Sequence, residues 1–157
     1  MYIRRAENKD IPKISNLLSQ VLNVHHEARP DIFKSDTVKY YPSDLEVMIK
    51  SDNDPIFVCV SEDELVVGYA FCKIIDQNEN NILHARKTLY IDDLCVDQSL
   101  RGKRIGQTIF DYVKEYAKTI GCNDITLNVW SDNVSAVKFY EKMGMRPQKQ
   151  IMEYKLS

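Results

Sequence analysis

Arg101-Gly102-Lys103-Arg104-Ile105-Gly106 separates a β-rich run, Leu89-Tyr90-Ile91-Asp92-Asp93-Leu94-Cys95-Val96-Asp97, from a segment of helical periodicity. In that segment Ile105, Ile109, Tyr112, Val113, Tyr116, Ala117 and Ile120 share one helix face, and Gln107, Asp111, Lys114, Glu115 and Lys118 share the other. Gly121 supplies a stop, and Asp124 to Trp130 reads as a further strand. A helix joins the two strands, so they must run parallel. The loop between strand and helix is also an anion site. The first amides of a helix lack partners and carry the positive end of its dipole. Two glycines allow close approach of a phosphate, and Arg101, Lys103 and Arg104 add cations. A solvated basic turn is the plainer alternative.

Outward from this unit, the chain alternates helices and strands. Tyr2 to Ala6 reads as a first strand. Ile11, Ile14, Leu17, Leu18, Val21 and Leu22 recur at helical spacing, which predicts a helix from about Lys9 to Val24 with Asn8 or Asp10 as cap and Pro12 in its first turn. Ser43-Asp44-Leu45-Glu46 has capping-box spacing and opens a second helix to about Lys50. Ile56 to Val60 and Leu65 to Ile75 form an antiparallel hairpin around Glu62-Asp63-Glu64, and a long strand follows from His84 to Val96. A last helix, Val134 to Met143, ends at Gly144, and Pro147 to Leu156 is expected to return as an edge strand. No repeat or linker interrupts the chain, so residues 1–157 are read as one domain.

Composition narrows the function. A formal net charge of −2 argues against a general polyanion binder, so no nucleic-acid partner is expected. Cys59, Cys72, Cys95 and Cys122 form no Cys-x-x-Cys pair and read as reduced thiols. No apolar run approaches the length of a membrane span and no signal segment opens the chain, so a cytoplasmic protein without a membrane partner is expected. His25, His26 and His84 lack metal-ligand spacing, and no metal is expected.

The loop read with its flanks, and with Asn133, Ala136, Phe139-Tyr140-Glu141-Lys142 and Gly144 downstream, resembles the GNAT (Gcn5-related) N-acetyltransferases. Their acetyl-CoA loop reads Arg/Gln-x-x-Gly-x-Gly/Ala. Arg101 and Gly106 fit it, while Arg104 occupies the usual first glycine, at a helix start where a negative φ would tolerate a side chain. The resemblance is strongest from Tyr90 to Gly144. It implies an α+β fold with a mixed, mostly antiparallel sheet flanked by helices, in which the parallel strands Tyr90–Val96 and Ile125–Trp130 splay to admit acetyl-CoA.

The same resemblance implies the chemistry: acetyl transfer from acetyl-CoA to a primary amine by direct attack in a ternary complex. Leu94, Cys95 and Val96 would line the cofactor's arm, with a strand N–H near Cys95 holding the oxyanion, and residues 101–106 (Arg101, Gly102, Lys103, Arg104, Ile105, Gly106) would take its phosphates. Asn133 matches an asparagine that contacts the cofactor, and Tyr140 the tyrosine that protonates the thiolate. Asp92 matches the position of a glutamate base in polyamine-acetylating members. Strand parity places Asp92 and Asp93 on opposite faces, so at most one should meet the acceptor.

Each assignment has a plainer counterpart. Tyr140 lies on an apolar helical stripe and could be a core aromatic. Asn133 is an ordinary helix cap, Asp92-Asp93 could pair with a nearby cation, and Cys95 has no evident base to make it a nucleophile. Two other functions fit the loop: CoA binding without turnover, and a nucleotide-phosphate-binding module. The latter lacks Gly-x-x-x-x-Gly-Lys-Ser/Thr. A polyamine, amino acid, antibiotic or protein N-terminus all suit the acceptor, whose groove is expected to come from His25–Lys50 and the strand hairpins, with the histidines at the surface or the substrate rim, and edge strands make a homodimer an expectation.

Overall fold

A computed structural model describes all 157 residues. Strands β1 (Tyr2–Arg5), β2 (Ile56–Val60), β3 (Val66–Gln77), β4 (Arg86–Val96) and β5 (Asp124–Leu127) form one sheet in that order. Neighbours through β4 pair antiparallel, and β4 pairs with β5 in parallel. That parallel step follows from the crossover helix α3 (Ile105–Thr119) between them. The expected α+β fold with one parallel pair is the one observed.

Helices α1 (Ile11–Ala28) and α2 (Pro42–Ile49) cover one face of the sheet. There Ile14, Leu17 and Leu45 pack on Ile56, Val58, Tyr69 and Phe71. Helix α3 covers the opposite face, where Ile105, Ile109 and Val113 meet Phe57, Cys59, Leu89 and Ile91, and α4 (Val134–Lys142) adds Phe139 and Tyr140 at the margin. Strand β2 is apolar at every position because both of its faces are buried. Each such fully buried side chain contributes roughly 1.5–3 kcal/mol. Arg4 grips the buried Asp10 with both terminal nitrogens, at 2.7 and 3.0 Å, and so ties β1 to the start of α1.

Several boundaries depart from the sequence reading. Helix α2 begins at Pro42 and is capped by Tyr41, whose amide donates to Asp44 at 2.8 Å, so Ser43 lies inside the helix. Strand β5 stops at Leu127 instead of Trp130. The segment 147–156 is not an edge strand in this chain, because from Arg146 onward no backbone group finds a partner. Cys59, Cys72 and Cys95 are buried, Cys122 is partly so, and all four are free thiols. No helix is long and apolar enough to cross a membrane.

Candidate active site

The loop ahead of α3 presents what an anion requires. Arg101, Gly102, Lys103 and Arg104 are exposed, while Ile105 is buried and anchors the helix start. No amide from Arg101 to Gln107 donates to an acceptor in the chain, and the first bond of the helix runs from Thr108 N to Arg104 O. The carboxylate just upstream is already engaged. Asp97 accepts from Lys13 at 2.5 Å and from the Ser99 amide, contacts that hold it down at about 2. A Cβ placed on Gly106 would lie 3.2 Å from the Phe139 ring and 3.6 Å from Val96, so the first turn of α3 sits close against both β4 and α4. Unpaired amides, three cations and no competing carboxylate within the loop suit a diphosphate.

Arg104 departs from the negative φ expected at a helix start. It is the N-cap of α3 at φ 60°, in the left-handed region, with Gly102 at φ 85° beside it. A side chain there costs about 1 kcal/mol from the contact of Cβ with the backbone carbonyl. Arg104→Gly should therefore raise the melting temperature by a few degrees, with an equivalent gain in unfolding free energy of about 1 kcal/mol. Unchanged or lower stability in thermal unfolding would mean that the arginine side chain recovers the strain through contacts of its own.

Strands β4 and β5 part beside this loop. Their pairing covers only Thr88↔Asp124 to Ile91↔Leu127, after which β4 continues to Val96 on β3 alone. Beyond the last pair, the Asn128 side-chain amide donates to the Tyr90 hydroxyl at 3.2 Å. The edge of β4 facing β5 is thus open along Asp92, Asp93, Leu94, Cys95 and Val96.

The two aspartates do not lie on opposite faces, contrary to strand parity. Phe71 pairs with Asp93 and Cys72 with Ile91, which leaves Asp92 as the extra residue of a β-bulge. Leu89 and Ile91 face α3 before the bulge, and Cys95 faces α1 after it. Asp92 accepts from Tyr40 at 3.4 Å and lies 3.6 Å from Lys39, whereas Asp93 accepts from Tyr69 at 2.8 Å. Tyr40 stacks on Phe71, and Tyr69 meets Phe71 edge-on, so both carboxylates look into the same aromatic hollow. Burial raises the Asp93 carboxyl above the usual carboxylate range, and the Tyr69 hydroxyl and Lys39 only partly oppose that shift.

Tyr140 is packed against Phe139 at 5.1 Å, and its hydroxyl has no protein hydrogen-bond partner. Burial, reinforced by the charge of Asp93, pushes that hydroxyl upward, so it stays protonated at neutral pH. Cys95 is likewise pushed up to about 12 by burial and Asp93, and a neutral buried thiol is a poor nucleophile. Asn133 caps α4, its side-chain oxygen accepting from Ala136 N at 3.3 Å. The structure therefore brings Asp92, Asp93, Cys95 and Tyr140 together around the open edge of β4. No cluster of three or more histidine, cysteine or acidic side chains is placed to hold a metal.

The mouth of this hollow takes His25 and Phe33 from the stretch 25–50, where the acceptor groove was expected, but the part played by Trp130 was not read from the sequence. His25 lies 4.9 Å from Phe33, and Phe33 meets Trp130 edge-on at 5.5 Å, so an aromatic row links the end of α1 to the segment after β5. Burial and the neighbouring Lys39 lower His25 below its ordinary value. Gly68 was also missed. A Cβ there would lie 2.8 Å from the Cys95 carbonyl and from Ile109, so only glycine lets α3 sit this close to the open part of β4. The β-rich composition around Gly68 gave no local sign of that approach, which depends on a partner some forty positions away along the α3 sequence.

Comparison with known proteins gives a match to the acetyltransferase (GNAT) family over residues 19–145. A glucosamine 6-phosphate N-acetyltransferase of Arabidopsis thaliana is 29% identical over 97 residues, 62% of this chain and 63% of that protein. The chain thus spans less than two thirds of that relative's length. The crystal structure of a mutant Bacillus halodurans protein is 35% identical and superposes with a TM-score of 0.96 over 100% of both chains. An aminoglycoside N-acetyltransferase in complex with CoA shares the fold at a TM-score of 0.72 and 14% identity, over 99% of each chain.

Proposed function

We propose, from the premise that the chain belongs to the acetyltransferase (GNAT) family, that it is an acetyl-CoA-dependent N-acetyltransferase acting on a primary amine by direct attack in a ternary complex. The observation that carries this reading is the row of open amides from Arg101 to Gln107, set beside the edge of β4 where β5 leaves it. Residues 101–106 bind the phosphates, with Arg101, Lys103 and Arg104 as cations and Gly106 leaving room for the ligand. Leu94, Cys95 and Val96 line the arm, and a β4 amide there holds the developing oxyanion. Asn133 fixes the start of α4 and adds a cofactor contact. Bound acetyl-CoA supplies the thioester whose carbonyl carbon the amine attacks and whose sulfur departs.

An amine with a pKa near ~10.4 arrives as an ammonium ion at neutral pH. Two adjacent carboxylates opposed by one lysine favour such a cation in the hollow. Asp92, at the more open position, takes the amine proton through a bridging water. Asp93, deeper and held by Tyr69, sets the local field and is the second candidate base. Tyr140 gives its hydroxyl proton to the departing sulfur. The test is thiol release from acetyl-CoA against a panel of polyamines, amino acids, aminoglycosides, amino sugars and peptide N-termini. Binding of acetyl-CoA with no thiol release above the uncatalysed rate for any amine would reduce the protein to a CoA-binding relative.

The two aspartates should separate by readout. Asp92→Asn is expected to lower kcat/KM by about tenfold or more while leaving the melting temperature little changed. Asp93 has a folded pKa raised by burial, so the charged form is disfavoured in the fold. Its contribution to stability is fully present below the unfolded value of ~3.9 and is lost as pH rises through the folded value. Asp93→Asn keeps an acceptor for Tyr69 and removes the buried charge. It should raise the melting temperature at pH 8 by a few degrees, with the gain vanishing near pH 4. A melting temperature lowered equally at both pH values would show that ionisation of Asp93 is not what burial opposes. Loss of activity in Asp93→Asn alone would move the base to Asp93.

A further inference from the structure

Lys39 sets a primary amine where the acceptor's own is expected. Its Nζ lies 3.6 Å from the Asp92 carboxylate and 5.4 Å from the centre of the Tyr40 ring, whose hydroxyl also reaches Asp92, at 3.4 Å. No other lysine pairs with either carboxylate of the hollow. Lys13 is taken up by Asp97, Lys87 by the Ile120 carbonyl, and Lys114 and Lys118 by carboxylates of their own helix. The chain thus supplies its own amine to the residue that takes the acceptor's proton.

The strap that carries Lys39 has few ties of its own. From Lys34 to Tyr40 no main-chain group is hydrogen-bonded to another, and Asp36 stands in the left-handed region at φ 52°. Side chains hold the strap at its two ends: His26 Nδ1 meets the Phe33 carbonyl at 2.8 Å, and Tyr40 stacks on Phe71. Behind it lies a cavity of about 220 Å³, lined by Ser15, Leu18 and Ser19 of α1 and by residues 37–42, where the Ser15 hydroxyl is buried without a partner. A segment with so few backbone bonds and unfilled space behind it shifts at low cost. Lys39 can therefore be carried from Asp92 along the open edge of β4 toward the thioester.

We propose that Lys39 is a self-modification site: the hollow acetylates this lysine of its own chain, with acetyl-CoA as donor. The proposal rests on the acetyl-transfer reading. Asp92 takes one proton from the Lys39 ammonium through water, and the freed lone pair attacks the thioester carbonyl carbon. The C–N bond forms, the C–S bond breaks, and the sulfur leaves as a thiol with the proton of Tyr140. The second amine proton returns to Tyr140 through solvent, so an ammonium and a thioester become an amide, a thiol and a released proton. Attachment to the chain gives this amine an effective concentration that a free acceptor must compete with. Acetylation also removes the cation that opposes Asp92 and Asp93, which leaves the hollow more negative toward the next cationic amine.

The test incubates the full chain with acetyl-CoA alone and maps its peptides by mass spectrometry. Acetyl should appear at Lys39 at a rate first-order in protein and about 100-fold or more faster than at Lys34, an exposed lysine on the same strap. Lys39→Arg should lose this fast acetyl group from the intact mass. Gly106→Asp, which spoils the phosphate site, should bring Lys39 down to the Lys34 rate, and Tyr140→Phe should slow Lys39 roughly 10–1000-fold while leaving Lys34 alone. Thiol release against the amine panel separates the two readings. Release with an external amine and no acetyl at Lys39 overturns this proposal and leaves acetyl transfer standing, whereas neither release nor acetyl at Lys39 removes both. Equal labelling of Lys34 and Lys39, or Lys39 labelling unchanged by Gly106→Asp, would assign the acetyl to uncatalysed chemistry and overturn the proposal. A first-order rate constant that falls on dilution would place the transfer between chains and overturn it as well.

Discussion

Gly106→Asp is expected to abolish measurable acetyl-CoA binding. Unmodified protein should bind with micromolar affinity, of order −8 kcal/mol, and gain thermal stability by mass action when the ligand is present. The substitution places a carboxylate among the open amides of the first turn of α3, where a diphosphate would be held, and turns a favourable field into a repulsive one. It also adds atoms 3.2 Å from the Phe139 ring, so size and charge must be separated. Gly106→Asn has the same shape without the charge. The aspartate variant should bind at least about 100-fold more weakly than the asparagine variant, a difference of about 2.7 kcal/mol in titration calorimetry. Equal affinities for the two would mean that steric filling alone matters there. Full affinity in both would remove residues 101–106 from the phosphate site.

The contrast between what was legible in the chain and what was not follows the range of the interactions. The parallel β4–β5 pair could be read because an amphipathic helix with a glycine stop sits between two β-rich runs, and connectivity then forces direction. Helix α3 was legible for the same local reason. The bulge at Asp92 was not, since Tyr90 to Val96 contains no glycine or other local mark. The slip is set by how Phe71 and Cys72 on β3 meet Asp93 and Ile91. That single extra residue moved Asp93 from the expected far face to the same hollow as Asp92, and so changed the chemistry available to the site. The segment 147–156 shows a third kind of limit. Its alternation announced a strand, but a strand needs a partner, and no backbone group from Arg146 onward has one. At the mouth of the hollow, His25, Phe33, Lys39 and Tyr40 fall in the stretch 25–50 where a groove was expected, whereas Trp130 comes from a distant segment that only the fold brings against Phe33.

Tyr140→Phe should lower kcat by roughly 10–1000-fold, the range of a lost general acid, with acetyl-CoA affinity little changed. The ring packs against Phe139 within the α3-side core, and phenylalanine keeps that packing. Because the hydroxyl has no protein partner to lose, removing it strands no buried donor or acceptor and should leave stability within about 0.5 kcal/mol. Its protonation fits the role. Burial first, then the charge of Asp93, push the Tyr140 hydroxyl above its ordinary value, so it stays protonated across the neutral range and gives up its proton only as charge develops on the departing sulfur. Activity in the unmodified protein should therefore show no alkaline limb from this group until well above neutrality, and the variant's pH profile should keep its shape while falling in height. A leaving group that needs no proton would restore the variant: thioesters with more acidic thiols should narrow the gap between Tyr140→Phe and the unmodified enzyme. A gap that stays constant across such thiols, or unaltered turnover with the best acceptor, would leave Tyr140 as a packing residue and assign protonation of the sulfur to solvent.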